Sequence, residues 1–158
     1  MRLDQKYKTL FKKYGINTPL RTAHFLAQLH HESGGFKYLK ELGNDAYFLK
    51  YEGRKDLGNT KAGDGAKFKG RGYIQITGRS NYTELSKELN IDFVNNPQLL
   101  EQEVNAVLSA LWFWHKKKLN IFADEDNIST ITKRINGGFN GIEDRKQLLQ
   151  KYKELLLV

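Results

Sequence analysis

The chain has 158 residues, 39% of them apolar and 12% aromatic, which suits one folded domain with a buried core and excludes a disordered chain. Cysteine is absent, which excludes disulfides, thiolate metal sites and cysteine nucleophiles. A formal net charge of +8 fits either a polyanionic partner (nucleic acid, anionic lipid, an acidic cell envelope) or merely a soluble basic surface.

The N-terminal stretch MRLDQKYKTLFKKYG mixes charge with apolar residues and has no long apolar run. It reads as neither a secretory signal nor a membrane anchor, so synthesis in the cytoplasm is expected. Hydrophobic spacing predicts helices over residues 3–14, 18–33, 80–89, 96–101, 103–117, 127–135 and 142–156. Asn17-Thr18-Pro19 and Asn96-Pro97 read as helix openings with proline in the first turn. In 103–117 the expected apolar stripe is Val104, Val107, Leu108, Leu111 and Trp112, and the tryptophans read as core. In the last helix it is Leu148, Leu149, Tyr152, Leu155 and Leu156. Seven of the fourteen glycines fall between Gly53 and Gly78, and Tyr73-Ile74-Gln75-Ile76-Thr77 alternates as a short strand would. A glycine-rich loop beside a short strand in a helical protein is where a cleft is usually lined. No repeat, low-complexity tract or linker is present, so a single domain over 1–158 is expected.

The most informative stretch is HFLAQLHHESGGF, His24 to Phe36. Phe25, Leu26 and Leu29 make a buried helical face, and Gly34-Gly35 supplies the left-handed backbone that ends helices. Glu32 therefore sits in a last turn, where the helix dipole favours the protonated carboxyl that a general acid needs. Glu41 follows nine residues later; on one unbroken helix it would lie about 13 Å further along and about 180° around. The glycine break is what lets the chain turn and bring Glu41 back toward Glu32. Two carboxyls across a cleft are the equipment for hydrolysing a glycosidic bond. The same spacing also leaves Glu41 as a solvated residue beside Lys37 and Lys40.

Other chemistries have weaker support. His24, His30 and His31 lie close together without the two-histidine helix motif of zinc peptidases, so no metal is expected. His31 precedes Glu32, about 100° around the helix, and reads as orienting or packing near the acid. GDGAKFKGRG lacks both the dinucleotide fingerprint and the Gly-Lys-Ser/Thr ending of nucleotide loops. Ser33 lacks the nucleophile-elbow pattern. The densest basic run is only Lys116-Lys117-Lys118, and no nucleic-acid-binding signature accompanies it, so nucleic acid is not an expected partner.

Three motifs in order, HFLAQLHHESGGF, GRGYIQITGRSNY and ITKRINGGFNGIEDR, with ALWFW between the second and third, resemble glycoside hydrolase family 19. That family holds plant-type chitinases and a bacterial and phage branch of lysozyme-like endolysins. The resemblance implies a mainly α-helical, lysozyme-like domain of two lobes, with a small β and glycine-rich region lining a glycan cleft. It implies inverting acid/base catalysis without a cofactor. Position by position, Glu32 matches the general acid, Glu41 resembles the general base, and Thr77 takes the place of a hydroxyl that holds the attacking water. Gln75, Asn81 and Asn136 fall where the family contacts sugar, with His31 and Tyr73 as further candidates to line the site; for Tyr73 and Tyr82 buried packing is the alternative. Arg145 matches an arginine of the carboxylate network, expected to hold the base ionised.

The chain departs from the plant enzymes. They carry disulfides, they have an acid where this chain has Asn140, and little between Glu41 and Lys69 resembles their loops. These differences point to the compact phage or bacterial lysis enzymes, and so to a peptidoglycan hydrolase, expected as a monomer without a separate wall-binding domain. The +8 charge is expected to hold it on an anionic envelope, and the lack of a signal fits release through a holin-type pore. Chitin is the alternative substrate, and a glycan-binding protein without turnover is the alternative from another class.

Overall fold

The computed structural model describes residues 1–158. Ten helices follow in order: α1 (Leu3–Lys6), α2 (Lys8–Lys13), α3 (Pro19–Glu32), α4 (Asp45–Phe48), α5 (Asp64–Lys67), α6 (Arg79–Leu89), α7 (Glu103–Lys116), α8 (Leu119–Asp124), α9 (Ile128–Asn136) and α10 (Ile142–Leu155). Three 3₁₀ turns join them at Leu49–Tyr51, Lys55–Leu57 and Pro97–Glu101. The chain divides into two compact units, Met1–Phe36 with Leu111–Val158, and Lys37–Ala110.

In the first unit α3 packs along α10. Thr18 caps α3 by accepting from the Arg21 amide at 3.2 Å, with Pro19 in the first turn. Every residue from Thr22 to Leu29 is buried, so α3 is covered all round rather than on one stripe. Phe25 meets Phe11 and Trp114 edge-on, at 5.2 and 5.3 Å between ring centroids. Trp114 is core, as its sequence context implies, and donates Nε1–H to Asn120 Oδ1 at 2.8 Å. The expected stripes need correction. Val104 is 40% exposed and Leu155 54% exposed, whereas Ala106, Ala110 and Trp114 are buried in α7, and Arg145, Leu149 and Tyr152 in α10.

A wholly buried α3 must also bury polar groups, and each needs a partner. His24 Nε2 lies 2.6 Å from Asp126 Oδ1, while its Nδ1 has none. Burial holds the His24 pKa below its ordinary 6.5, against the opposing pull of Asp126. A depressed folded-state value means that its stabilisation is full above pH 6.5 and is lost as pH falls toward that lowered value. The unfolding temperature is therefore expected to drop on acidification below pH 6.5 in wild type and to fall less in His24→Gln. Parallel profiles for the two proteins in a pH series of thermal melts would refute this.

The second unit contains α4, α5, α6 and the first half of α7. Neither α4 nor α5, each four residues long, has a hydrophobic period that sequence could reveal. The strand expected at 73–77 does not form. Arg71 and Ile76 pair with each other through both amides, at 3.1 and 2.9 Å, and Gly72–Gln75 make the loop between them. Gln75 takes a left-handed backbone (φ 61°), which folds the segment on itself instead of extending it. Gly72 (φ 80°) is needed twice over, because a Cβ there would lie 2.6 Å from Ser109 Oγ. The loop is fastened by buried Arg71, which donates to Glu101 (3.0 Å), the Lys67 carbonyl (2.7 Å) and Tyr82 Oη (3.0 Å). Asp64, its side chain 2% exposed, accepts a bidentate pair from Arg79 at 2.8 Å, and that guanidinium holds its carboxyl below the usual range.

Candidate active site

Glu32 ends α3, where Ser33 and the positive-φ run Gly34, Gly35 and Phe36 (61°, 79° and 66°) stop the helix. Its carboxyl is 19% exposed and accepts from Arg145 Nη2 through Oε1 at 2.7 Å, while Oε2 has no protein partner. Arg145 itself is 1% exposed, and its other donors reach Gln28 Oε1 (2.5 Å) and the Asn140 carbonyl (3.1 Å). Gln28 in turn donates to Thr132 Oγ1 at 3.1 Å. His24, Gln28 and Glu32 are spaced by four and so form one polar line down α3. Arg145 thus pairs with Glu32, and within its unit it serves the expected acid.

His31 projects beside Glu32 on α3 and lies 2.6 Å through Nδ1 from Asp144 Oδ2. Its ring packs so close to the backbone that a Cβ on Gly141 would come within 2.2 Å of it. Asn136 is exposed at the end of α9, where Gly137 (φ 84°) caps the helix. No three acidic or histidine side chains gather closely enough to hold a metal ion.

Glu41 belongs to the second unit. Its backbone amide donates to the Gly70 carbonyl at 2.8 Å, and Gly70 N–H returns a 3.2 Å bond to Oε1. Tyr51 O–H donates to Oε2 at 2.8 Å, and Lys50 Nζ lies 3.6 Å from the same oxygen. Burial, together with bonding to this carboxylate, raises the Tyr51 pKa and keeps its phenol a donor. Both oxygens of Glu41 are therefore occupied as an acceptor-only carboxylate requires. A Cβ on Gly70 would meet Gln75 Oε1 at 2.7 Å and Glu41 Oε1 at 3.2 Å, so a side chain there would displace Gln75 and crowd the carboxylate.

Gln75, Thr77 and Asn81 form a chain of side-chain-to-backbone bonds. Asn81 donates to the Thr77 carbonyl (2.8 Å), Thr77 Oγ1 to the Gln75 carbonyl (3.0 Å) and Gln75 to the Gly72 carbonyl (2.8 Å). With its proton committed to Gln75, the Thr77 hydroxyl presents lone pairs and can accept from a water. Tyr73 is 4% exposed and Tyr82 fully buried against Phe68, so Tyr73 presents little surface to a sugar. Gln28, Lys50, Tyr51, Gly70 and Asp144 escaped the reading of the sequence. Only Gln28 had a local signal, its place one helical turn before Glu32.

Residues 19–129 match the family model of glycoside hydrolase family 19, described as class I chitinase. A glycosyl hydrolase family 19 domain-containing protein of Haemophilus influenzae is 35% identical over 173 residues, covering 91% of this chain and 84% of its own. An endochitinase of Arabidopsis thaliana is 31% identical over 117 residues, 73% of this chain but 39% of the plant protein. The crystal structure of chitinase C from Streptomyces griseus superposes with a TM-score of 0.72 at 26% identity, over 87% of this chain and 60% of that one. The chain belongs to glycoside hydrolase family 19. It is a chitinase-like glycoside hydrolase with the mainly helical fold of those neighbours.

Proposed function

We propose that this chain is a peptidoglycan hydrolase of the endolysin type, cleaving β-1,4 bonds of the glycan strand with inversion. The observation that carries the chemistry is the unlike dressing of its two carboxyls. Glu32 keeps one oxygen on Arg145 and the other unbonded, so a proton on Oε2 can pass to the leaving glycosidic oxygen without breaking the Arg145 bond. Glu41 has its oxygens fixed by Gly70 N–H and Tyr51 O–H, with lone pairs left to take a proton from water. That water adds to the anomeric carbon as the bond to the leaving oxygen breaks, and Thr77 Oγ1 accepts a hydrogen bond from its second hydrogen, which stays on the new anomeric hydroxyl. Glu32 finishes ionised and Glu41 protonated, and exchange with solvent restores both.

Peptidoglycan is favoured by the lack of cysteine, by the +8 charge and by near end-to-end correspondence with a bacterial relative rather than with the plant enzymes. The charge would hold the enzyme on an anionic envelope, and a separate holin-type pore would release it from the cytoplasm. Chitin is the second reading, favoured by the likeness to a plant endochitinase and to a Streptomyces chitinase. Digestion of borohydride-reduced peptidoglycan and of soluble chitin, with products read by mass spectrometry, separates the two. New glycan ends from peptidoglycan are expected, at a rate that falls steeply as salt rises from low to physiological strength. Cleavage of chitin alone would replace this reading with the second, and a flat salt response would remove the role given to charge.

A further inference from the structure

Helix α9 and the turn after it border a cavity of about 710 Å³ lined by Ser129, Thr130, Lys133, Arg134, Gly137 and Phe139. Both cations are exposed, and neither forms an ion pair with any acid of the chain. Their placement in the last turn of α9 answers the helix dipole. That alone does not account for the open volume between them or for the aromatic ring beside it. Arg134 lies 4.7 Å over the Phe122 ring, which presents its guanidinium in a fixed plane. Phe139 is 53% exposed, a large apolar face left uncovered. Beside Gly137 a built Cβ meets nothing within 4 Å, so the space is open there as well. Two cations, free hydroxyls and an exposed ring around one hollow are the fittings for an anionic sugar: ring face on the phenyl, carboxylate on the cations.

The hollow is mechanically tied to Glu32. Arg145, which holds Glu32, also holds the Asn140 carbonyl, next in the chain to Phe139. Ile142 N–H closes the same turn on the Phe139 carbonyl at 3.1 Å. A ligand seated against Phe139 therefore rests on backbone that the acid's own partner fixes.

We infer that this cavity binds a carboxylate borne by the glycan, that of the stem peptide or the lactyl carboxylate of a muramic residue that has lost its peptide, which chitin lacks. The inference rests on the peptidoglycan reading above and sharpens it into a specificity device. It is tested by binding, so that it stands or falls apart from turnover. Muramyl dipeptide, N-acetylmuramic acid and the N-acetylglucosamine trimer are titrated into ¹⁵N-labelled Glu32→Gln protein. The dipeptide is expected to shift the amides of Thr130, Lys133, Gly137 and Phe139. Adding Lys133→Gln and Arg134→Gln is expected to weaken its binding about tenfold or more, with the neutral trimer unaffected. N-acetylmuramic acid carries a free lactyl carboxylate, which the dipeptide holds as an amide: equal binding shows that a carboxylate on either group is taken, and much weaker binding assigns the stem peptide. Unchanged dipeptide affinity in the double substitution, or an equal loss for the trimer, overturns the site. Charge-dependent binding by a protein that leaves peptidoglycan uncut would keep the site and overturn the function. Cleavage of peptidoglycan with charge-independent binding would do the reverse.

Discussion

Glu32→Gln is expected to lower turnover by about 10²–10⁴-fold, the usual worth of a positioned general acid, with the fold intact. Glutamine keeps a carbonyl oxygen where Oε1 accepts from Arg145, so the 2.7 Å bond has a substitute and the guanidinium stays paired. What is lost is the proton on the other oxygen, and with it protonation of the leaving group. The distinction matters because Glu32→Ala would confuse two effects, leaving the buried arginine without its carboxylate as well as removing the acid. Initial rates on the cleaved substrate, beside a thermal melt of each protein, make the check. A Glu32→Gln enzyme that turns over at the wild-type rate would remove Glu32 from the chemistry.

Arg145→Ala is expected to destabilise the protein by about 3–5 kcal/mol, the range for breaking a buried pair by deleting one partner. For a chain of this size that is roughly a 6–20 °C fall in unfolding temperature, at about 2–4 °C per kcal/mol. Three acceptors depend on this one side chain: Gln28 Oε1, Glu32 Oε1 and the Asn140 carbonyl. Removing it strands Gln28 Oε1 in the core, frees the turn after α9 and lets the Glu32 carboxyl wander. Arg145→Lys separates the fold from the site. One ammonium cannot span three acceptors in the geometry of a planar fork, so stability should be partly recovered while activity stays low. An Arg145→Ala protein that melts within 2 °C of wild type would show that these bonds carry little of the fold.

These two residues also mark how far the sequence could be read. Glu32 was visible because everything that places it is local: a capped helix, an apolar face, and a glycine pair that ends the helix just beyond it. Arg145 was visible only through the resemblance of its motif, which offered the base as its partner, and its bond to the acid was not foreseen. The polar line His24, Gln28 and Glu32 shows why. Its partners lie 102 residues away at Asp126 and 117 and 113 residues away at Arg145. Nothing in a four-residue spacing says which distant chain will supply the other half of each bond. The segment 73–77 failed for a different reason. Its alternation is real, but both Tyr73 and Ile74 are buried, and a left-handed Gln75 turns the chain back between Arg71 and Ile76.

By itself the sequence determined what short-range physics controls: a mainly helical chain, the position and end of α3, the capping at Thr18, and the glycines on which close packing depends. Through its motifs it also determined the family. Tertiary structure alone decided which side chains meet: Arg145 with Glu32 and Gln28, Tyr51 and Gly70 with Glu41, and the unpaired Lys133 and Arg134 around the α9 hollow. Local periodicity reports which face of a helix is apolar. Hydrogen bonds and ion pairs are made between segments far apart in the chain, and their partners are settled only when the core packs.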